Sequence, residues 1–246
     1  MRRILLNARI QFDELVHIPA FTVPSIGLPL VTYLIFGLPN VHGQPGAANG
    51  VLVGFAAFAL LGIVMFQFGV GIASDRSSAW ERFVRTLPST AGQRFGARLL
   101  VALAFGIASL VPVCICATLV TPLDFDAVTW VRVLVTLLAG SVPLGLLGIM
   151  LGYLLNERGA LPVTNLIYLP LSYAGGLFSA NAGDLPHALR SVSPWLPTRQ
   201  WSDLLVQYGL GGRVPTHALL ALTAYGAVFA AAAVYGYRRD EQRQYH

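Results

Sequence analysis

The imidazoles and thiols of this sequence, which could ligate a transition metal or serve in catalysis, belong to five histidines, His17, His42, His187, His217 and His246, and two cysteines, Cys114 and Cys116. Their spacing suits neither chemistry. The histidines fall at the ends of apolar stretches or between them, with no H-E-x-x-H to put two imidazoles on one helix face and no Ser–His pair at membrane depth. The C-x-C pair lies inside an apolar segment and offers two thiols where a zinc site takes four ligands, so both read as small hydrophobic residues. All sixteen basic residues are Arg. Without Lys there is no G-x-x-x-x-G-K-[ST] loop, so the chain cannot bind ATP by that route. The apolar stretches also lack charged residues in their central portions, which removes the usual basis of a proton relay or ion-gradient coupling. No catalytic residue, cofactor-binding set or metal site is expected.

Chemistry for binding is concentrated in one polar connection, Ser74 to Arg98, which holds five of the sixteen arginines between two apolar segments. Ser78-Ala79-Trp80-Glu81 has capping-box form, so a short helix is expected to start there. Trp80, Phe83, Val84 and Leu87 follow at i, i+3, i+4 and i+7 and make one apolar ridge, with Glu81 and Arg82 beside it. Pro88 ends the helix, and Thr90-Ala91-Gly92-Gln93 can start the next. Such a helix suits either a partner protein's groove or a bed of lipid headgroups.

The elements around this connection are membrane spans. Hydrophobic residues make up 55% of the 246 and charged ones 11%, against roughly 25% charged in a soluble domain. The net charge of +5 therefore points to anionic lipid at membrane edges, with no nucleic-acid partner. A single membrane domain, all-α with six spans, is expected: 18–38, 51–73, 97–121, 131–155, 161–179 and 216–237. Residues 1–16 carry Ile4, Leu5, Ala8, Phe12, Leu15 and Val16 on one arc and predict an interfacial helix lying on the membrane. Three prolines, Pro19, Pro24 and Pro29, predict a first span packed within the bundle, where neighbours satisfy the freed carbonyls. In the fourth span Ser141 and Gly145, then Gly148 and Gly152, are each four apart, a face for close backbone approach within or between subunits, with Leu147 assigned to lipid.

Residues 180–215 are neither apolar enough to span nor polar enough to be plain loop. Leu185, Leu189 and Val192 suggest one half-helix and Trp201, Leu204, Leu205 and Tyr208 another, broken at Ser193-Pro194-Trp195-Leu196-Pro197. A re-entrant pair and an outer-surface cap both fit this periodicity. With both termini and the 74–98 and 156–160 connections inside, twelve of the sixteen arginines are cytoplasmic, as the positive-inside rule requires. The tail from Arg238 reads as a basic cytoplasmic end.

The stretch DRSSAWERFVRTLPST resembles the cytoplasmic loop after the second span of type-2 ABC transporter permeases, in Asp75, Arg76, Glu81, the hydrophobic run and Pro88. Ser78 and Ala79 stand where that family usually has Gly and Thr. The span order resembles the family along the whole chain. The resemblance implies an N-terminal elbow helix, a coupling helix that seats Trp80, Glu81, Arg82, Phe83, Val84 and Leu87 on an ATP-binding-cassette ATPase subunit, and a re-entrant hairpin between spans five and six. It further implies a homodimer, or heterodimer with a related permease, in a bacterial inner membrane, with ATP and Mg bound by the partner. The expected activity is export of a hydrophobic or amphipathic substrate, with Tyr33, Gln67, Tyr168 and Tyr173 as the candidate path, each equally readable as packing. A non-transporting membrane scaffold is the alternative. A lipid-processing enzyme is a remoter one, for which Asp75 with Arg76 or Asp184 with His187 would have to converge.

Overall fold

The computed structural model describes residues 2–41, 45–78, 91–178 and 186–243, and among these the chain is helical, without strands. Helix α1 (Arg2–Val16) precedes α2 (Pro19–Thr32), which continues through a π turn (Tyr33–Gly37) and a 3-10 turn (Leu38–Asn40). Helix α3 (Pro45–Met65), a second π turn (Phe66–Val70) and α4 (Gly71–Ser77) form one unbroken rod. Then come α5 (Ala91–Val120), α6 (Ala127–Leu154), α7 (Glu157–Ala174), the four-residue α8 (His187–Arg190), a 3-10 turn (Ser193–Trp195), α9 (Pro197–Leu204) with a π turn (Leu205–Gly209), and α10 (Thr216–Arg243).

Five stretches of described residues are long and apolar enough to cross a membrane: Thr22–Asn40, Gly46–Arg76, Gly96–Val120, Ala127–Leu154 and Thr216–Asp240. The expected span 161–179 is not among them. Its helix, α7, has 18 residues, and Thr164, Asn165 and Ser172 dilute its apolar character. Helix α10 runs on to Arg243, so the residues read as a tail begin as the last turns of a helix.

The bundle is built around α3, whose Leu52, Phe55, Phe58, Leu60, Leu61 and Met65 are all but inaccessible. Helices α5 and α6 flank it, α7 covers another side, and α10 packs on α6. The short connections are fixed by side-chain caps. Asp126 accepts from the Thr129 amide at 2.8 Å to start α6, and the Thr129 hydroxyl, followed by this amide, holds the Asp126 carboxyl below its usual range. Asn156 accepts from the Gly159 amide at 2.7 Å to start α7, so α6 and α7 are joined by a tight turn.

The proline-rich α2 is peripheral. It packs Pro29 and Tyr33 inward against α3 and α5 and leaves Val23, Leu28, Val31, Ile35 and Phe36 outward. Its prolines thus sit in a helix with one covered face, not an enclosed one. Helix α1 runs alongside α5: Ile4 lies over Gly96, and Phe12 meets Phe105 at 5.1 Å between ring centroids. Nine residues of α5 separate those contacts, about 13 Å of axis.

The small-residue face of α6 is used within the chain. A methyl group added at Gly148 would meet the Val64 carbonyl oxygen at 2.9 Å, and one at Gly152 would meet the Phe68 oxygen at 2.5 Å and the Gly69 oxygen at 3.0 Å. The seam therefore lies against the π turn of the α3–α4 rod, where the wider turn brings backbone carbonyls to the surface. Leu147, assigned to lipid from its place in the sequence, is buried in the core.

Candidate functional site

The expected docking residues Trp80, Glu81, Arg82, Phe83, Val84 and Leu87 lie outside the described residues. Their attachment points do not. Helix α4 ends at Ser77, Ser78 is extended (φ −74°, ψ 141°), and α5 begins at Ala91. At this neck, consecutive residues tie the chain in two directions. Asp75 pairs with Arg98 of α5. Arg76 gives its Nε and one terminal nitrogen to Asp240 of α10 at 2.9 and 2.6 Å. Its other terminal nitrogen donates to the carbonyls of Gly152, Tyr153 and Leu155 at 2.9, 3.0 and 3.2 Å. Those carbonyls close the last turn of α6, where a helix leaves acceptors unsatisfied and favours a cation. One guanidinium, with five donors in a rigid fork, thus serves two helices at once. Its charge also stands over the Tyr153 ring, 5.6 Å from the centroid, and Tyr153 meets Tyr237 of α10 edge-on at 5.5 Å. Beside this junction opens a cavity of about 320 Å³ lined by Arg76, Tyr153, Asn156, Gly236, Arg239 and Asp240.

Three of the four candidate path residues are brought together. Tyr33 meets Phe55 at 5.5 Å, Phe55 and Phe58 meet Phe178 at 5.4 and 4.7 Å, Tyr168 stacks on Phe58 at 5.0 Å, and Tyr173 reaches Phe178 at 6.3 Å. The Tyr168 hydroxyl donates to the Phe58 carbonyl at 3.2 Å. The Tyr33 hydroxyl is buried with no hydrogen-bond partner among the described residues. Tyr33 and Tyr168 are closed in on all sides, whereas Tyr173 is exposed. Gln67 is buried in the π turn that follows α3.

The 186–209 segment packs deep against the bundle. The Trp201 indole donates to the Thr136 carbonyl at 3.2 Å, and its ring fills the space over Gly140, where a methyl group would overlap it. Thr136 lies nine residues into α6, roughly 13 Å from its start. Thr198 donates to the Leu171 carbonyl and Ser193 to the Ala174 carbonyl, both at 2.6 Å. Tyr225, nine residues into α10, donates to the Trp195 carbonyl. Within α9, Arg199 and Asp203 form a half-buried pair at 2.9 Å.

From sequence Arg76 entered only through the loop resemblance and beside Asp75, and Asp240 only as part of the tail, so their pairing was not foreseen. The available signal was weak: an Arg in the last turn of a long apolar helix, and one Asp directly after two arginines in a stretch otherwise read as a basic tail.

The comparisons with known proteins agree with this architecture. The profile of the ABC-2 type transporter family matches residues 2–208. The chain is 21% identical over 224 residues to the Bacillus subtilis (strain 168) protein named "Putative transport permease YvfS", covering 90% of this chain and 91% of that one. No solved structure matches. The family profile covers the spans α2 to α6, the neck around Arg76 and the packed segment through Tyr208, and the chain therefore belongs to the ABC-2 type transporter family.

Proposed function

We propose that this multi-pass membrane chain is the permease subunit of an ABC exporter, and that it moves a hydrophobic or amphipathic substrate outward with ATP hydrolysed by a separate subunit. The observation that carries the reading is the family match, whose bounds, residues 2–208, enclose the 79–90 segment. The anchoring of that segment's two stems supports it. A connection that only rested on lipid would have no need of a neck pinned to α5, α6 and α10.

In this reading Trp80, Phe83, Val84 and Leu87 fill a groove on the ATPase, while Glu81 and Arg82 pair at its rim, the usual division of an interface. ATP and Mg belong to that partner. Helix α7 is the fifth of six spans, its Thr164, Tyr168 and Ser172 turned inward and Leu161, Leu166 and Leu169 outward. Helix α1 is the elbow, with Leu5, Leu6 and Ile10 offered to lipid. The depth of the Trp201 and Tyr225 contacts supports a re-entrant hairpin over 186–209. The twelve-to-four split of arginines supports cytoplasmic termini in a bacterial inner membrane. The permease works as a pair, with a second copy or a related chain. Of the path residues, Tyr173 is open to a substrate as the helices stand, and Tyr33 and Tyr168 come into play when the ring cluster parts.

The first test is whether an ATP-binding-cassette protein is encoded next to this chain, and the second is its co-purification with the permease. Truncating a buried aromatic anchor removes about 2 kcal/mol or more of binding, roughly thirtyfold in affinity. Phe83→Ala and Trp80→Ala are therefore expected to insert normally, release the ATPase and stop export, with Glu81→Ala milder and salt-dependent. A wild-type chain that retains no ATPase, or aromatic variants that retain it fully, would overturn the reading. A helix that only lies on lipid would instead lose affinity for the membrane surface on the same substitutions.

A further inference from the structure

The neck carries more structure than a connection needs. Asp75 and Arg76 are neighbours, and on a helix neighbouring side chains point about 100° apart, so one reaches α5 and the other reaches α6 and α10. The two ties differ in strength. Asp75 is nearly half exposed, and an ion pair open to water is screened and weak. Arg76 and Asp240 are sheltered, at 20% and 9% side-chain exposure, and Arg76 is charge-assisted on both sides, by a carboxylate and by the carbonyl end of α6.

Beyond this junction α10 and α6 have no slack. A methyl group at Gly236 would meet the Tyr153 Cβ at 2.8 Å, so the two helices are in backbone contact just above Arg76. Helix α10 spans 28 residues, about 42 Å of axis. Towards its other end Tyr225 donates to the Trp195 carbonyl, at the break between α8 and α9. A single stiff element therefore touches both the neck, at Arg76, and the packed hairpin.

We propose that Arg76 is the positioning residue through which a displacement of the neck at residues 74–78 reaches α6 and α10, and that its pairing with Asp240 makes α10 the member that carries this displacement to the hairpin. The proposal rests on the permease reading and adds the route inside the membrane domain. Both ends of that route are bonded contacts, and the rod between them is continuous helix.

The experiment uses the permease–ATPase complex in vesicles of phosphatidylethanolamine and phosphatidylglycerol, with Trp195→Cys as the only cysteine. Trp195 is 76% exposed and takes part in the Tyr225 contact through its backbone, so the substitution leaves the route in place. The rate of labelling by an impermeant maleimide is read without nucleotide and with a non-hydrolysable ATP analogue. The expected result is a nucleotide-dependent rate that is lost in Asp240→Asn and in Arg76→Gln while the ATPase remains bound, and is restored by Asp240→Glu. A merely structural role would not be rescued by the longer carboxylate or leave the ATPase in place. The proposal is overturned if the wild-type rate ignores nucleotide, if Asp240→Asn keeps the nucleotide dependence, or if Asp240→Glu fails to restore it. Loss of the ATPase from the wild-type complex is a separate result: it removes the permease reading, and this route with it.

Discussion

Gly140 and Trp201 show what a single atom decides in this bundle. The indole lies flat against the α6 backbone because Gly140 has no Cβ, and only from there can its N–H reach the Thr136 carbonyl. Gly140→Ala should expel the ring, adding an overpacking cost of about 1–3 kcal/mol to that of an unpaired buried donor, about 1–3 kcal/mol more. The variant is expected to lose thermal stability in detergent, followed by size-exclusion chromatography after heating, whereas Gly27→Ala, with open space around it, should not. Equal losses would show that Trp201 does not need this contact. Trp201 was legible from sequence as part of an apolar ridge, because amphipathic spacing needs only a local window. Its glycine partner was not, since Gly140 lies 61 positions earlier and outside the small-residue series that began at Ser141. The same limit hid the Arg76 junction. Its partner Asp240 is 164 positions away, and no local pattern reports a contact at that distance.

Among elements, the seam between α6 and the π turn after α3 is where close packing is concentrated. Gly148→Leu or Gly152→Leu should force the two backbones apart, at or beyond the upper end of the ~1–3 kcal/mol typical of overpacking. Leu166→Ala is the matched control, because Leu166 faces outward. Leu147→Ala cannot serve, since it would leave a cavity in the core. If the glycine variants survive heating in detergent as well as Leu166→Ala does, the seam is not load-sharing. The spacing of small residues was plain in the sequence, but which helix they would meet was not, and neither were the π turns. A π turn is one extra residue in a helix, invisible to a 3.6-residue periodicity that drifts only slightly over five residues. The break at Ser193 to Pro197 was legible because Pro punctuates any helix. The half-helix before it proved to be four residues long.

For the whole molecule the orientation is the testable quantity. Single cysteines at positions 42 and 187, in a background lacking Cys114 and Cys116, should react with an impermeant reagent on intact cells, and those at 82, 158 and 238 should not. Position 238 is chosen because Arg238 is exposed, whereas a cysteine at buried Asp240 would break the Arg76 junction. Labelling at 82 from outside would invert the topology. The order of the helices in the chain has a further consequence, for synthesis. Helix α3 is made early and is apolar on every side, so it can wait in lipid alone until its neighbours emerge from the ribosome. Helix α7 cannot wait in this way: its hydroxyl-bearing face, with Thr164, Tyr168 and Ser172, needs the wall of α3 that Tyr168 bonds. Translation therefore supplies the template before the helix that depends on it, and a chain with α3 and α7 exchanged should stall at the insertion machinery although its finished contacts would be the same.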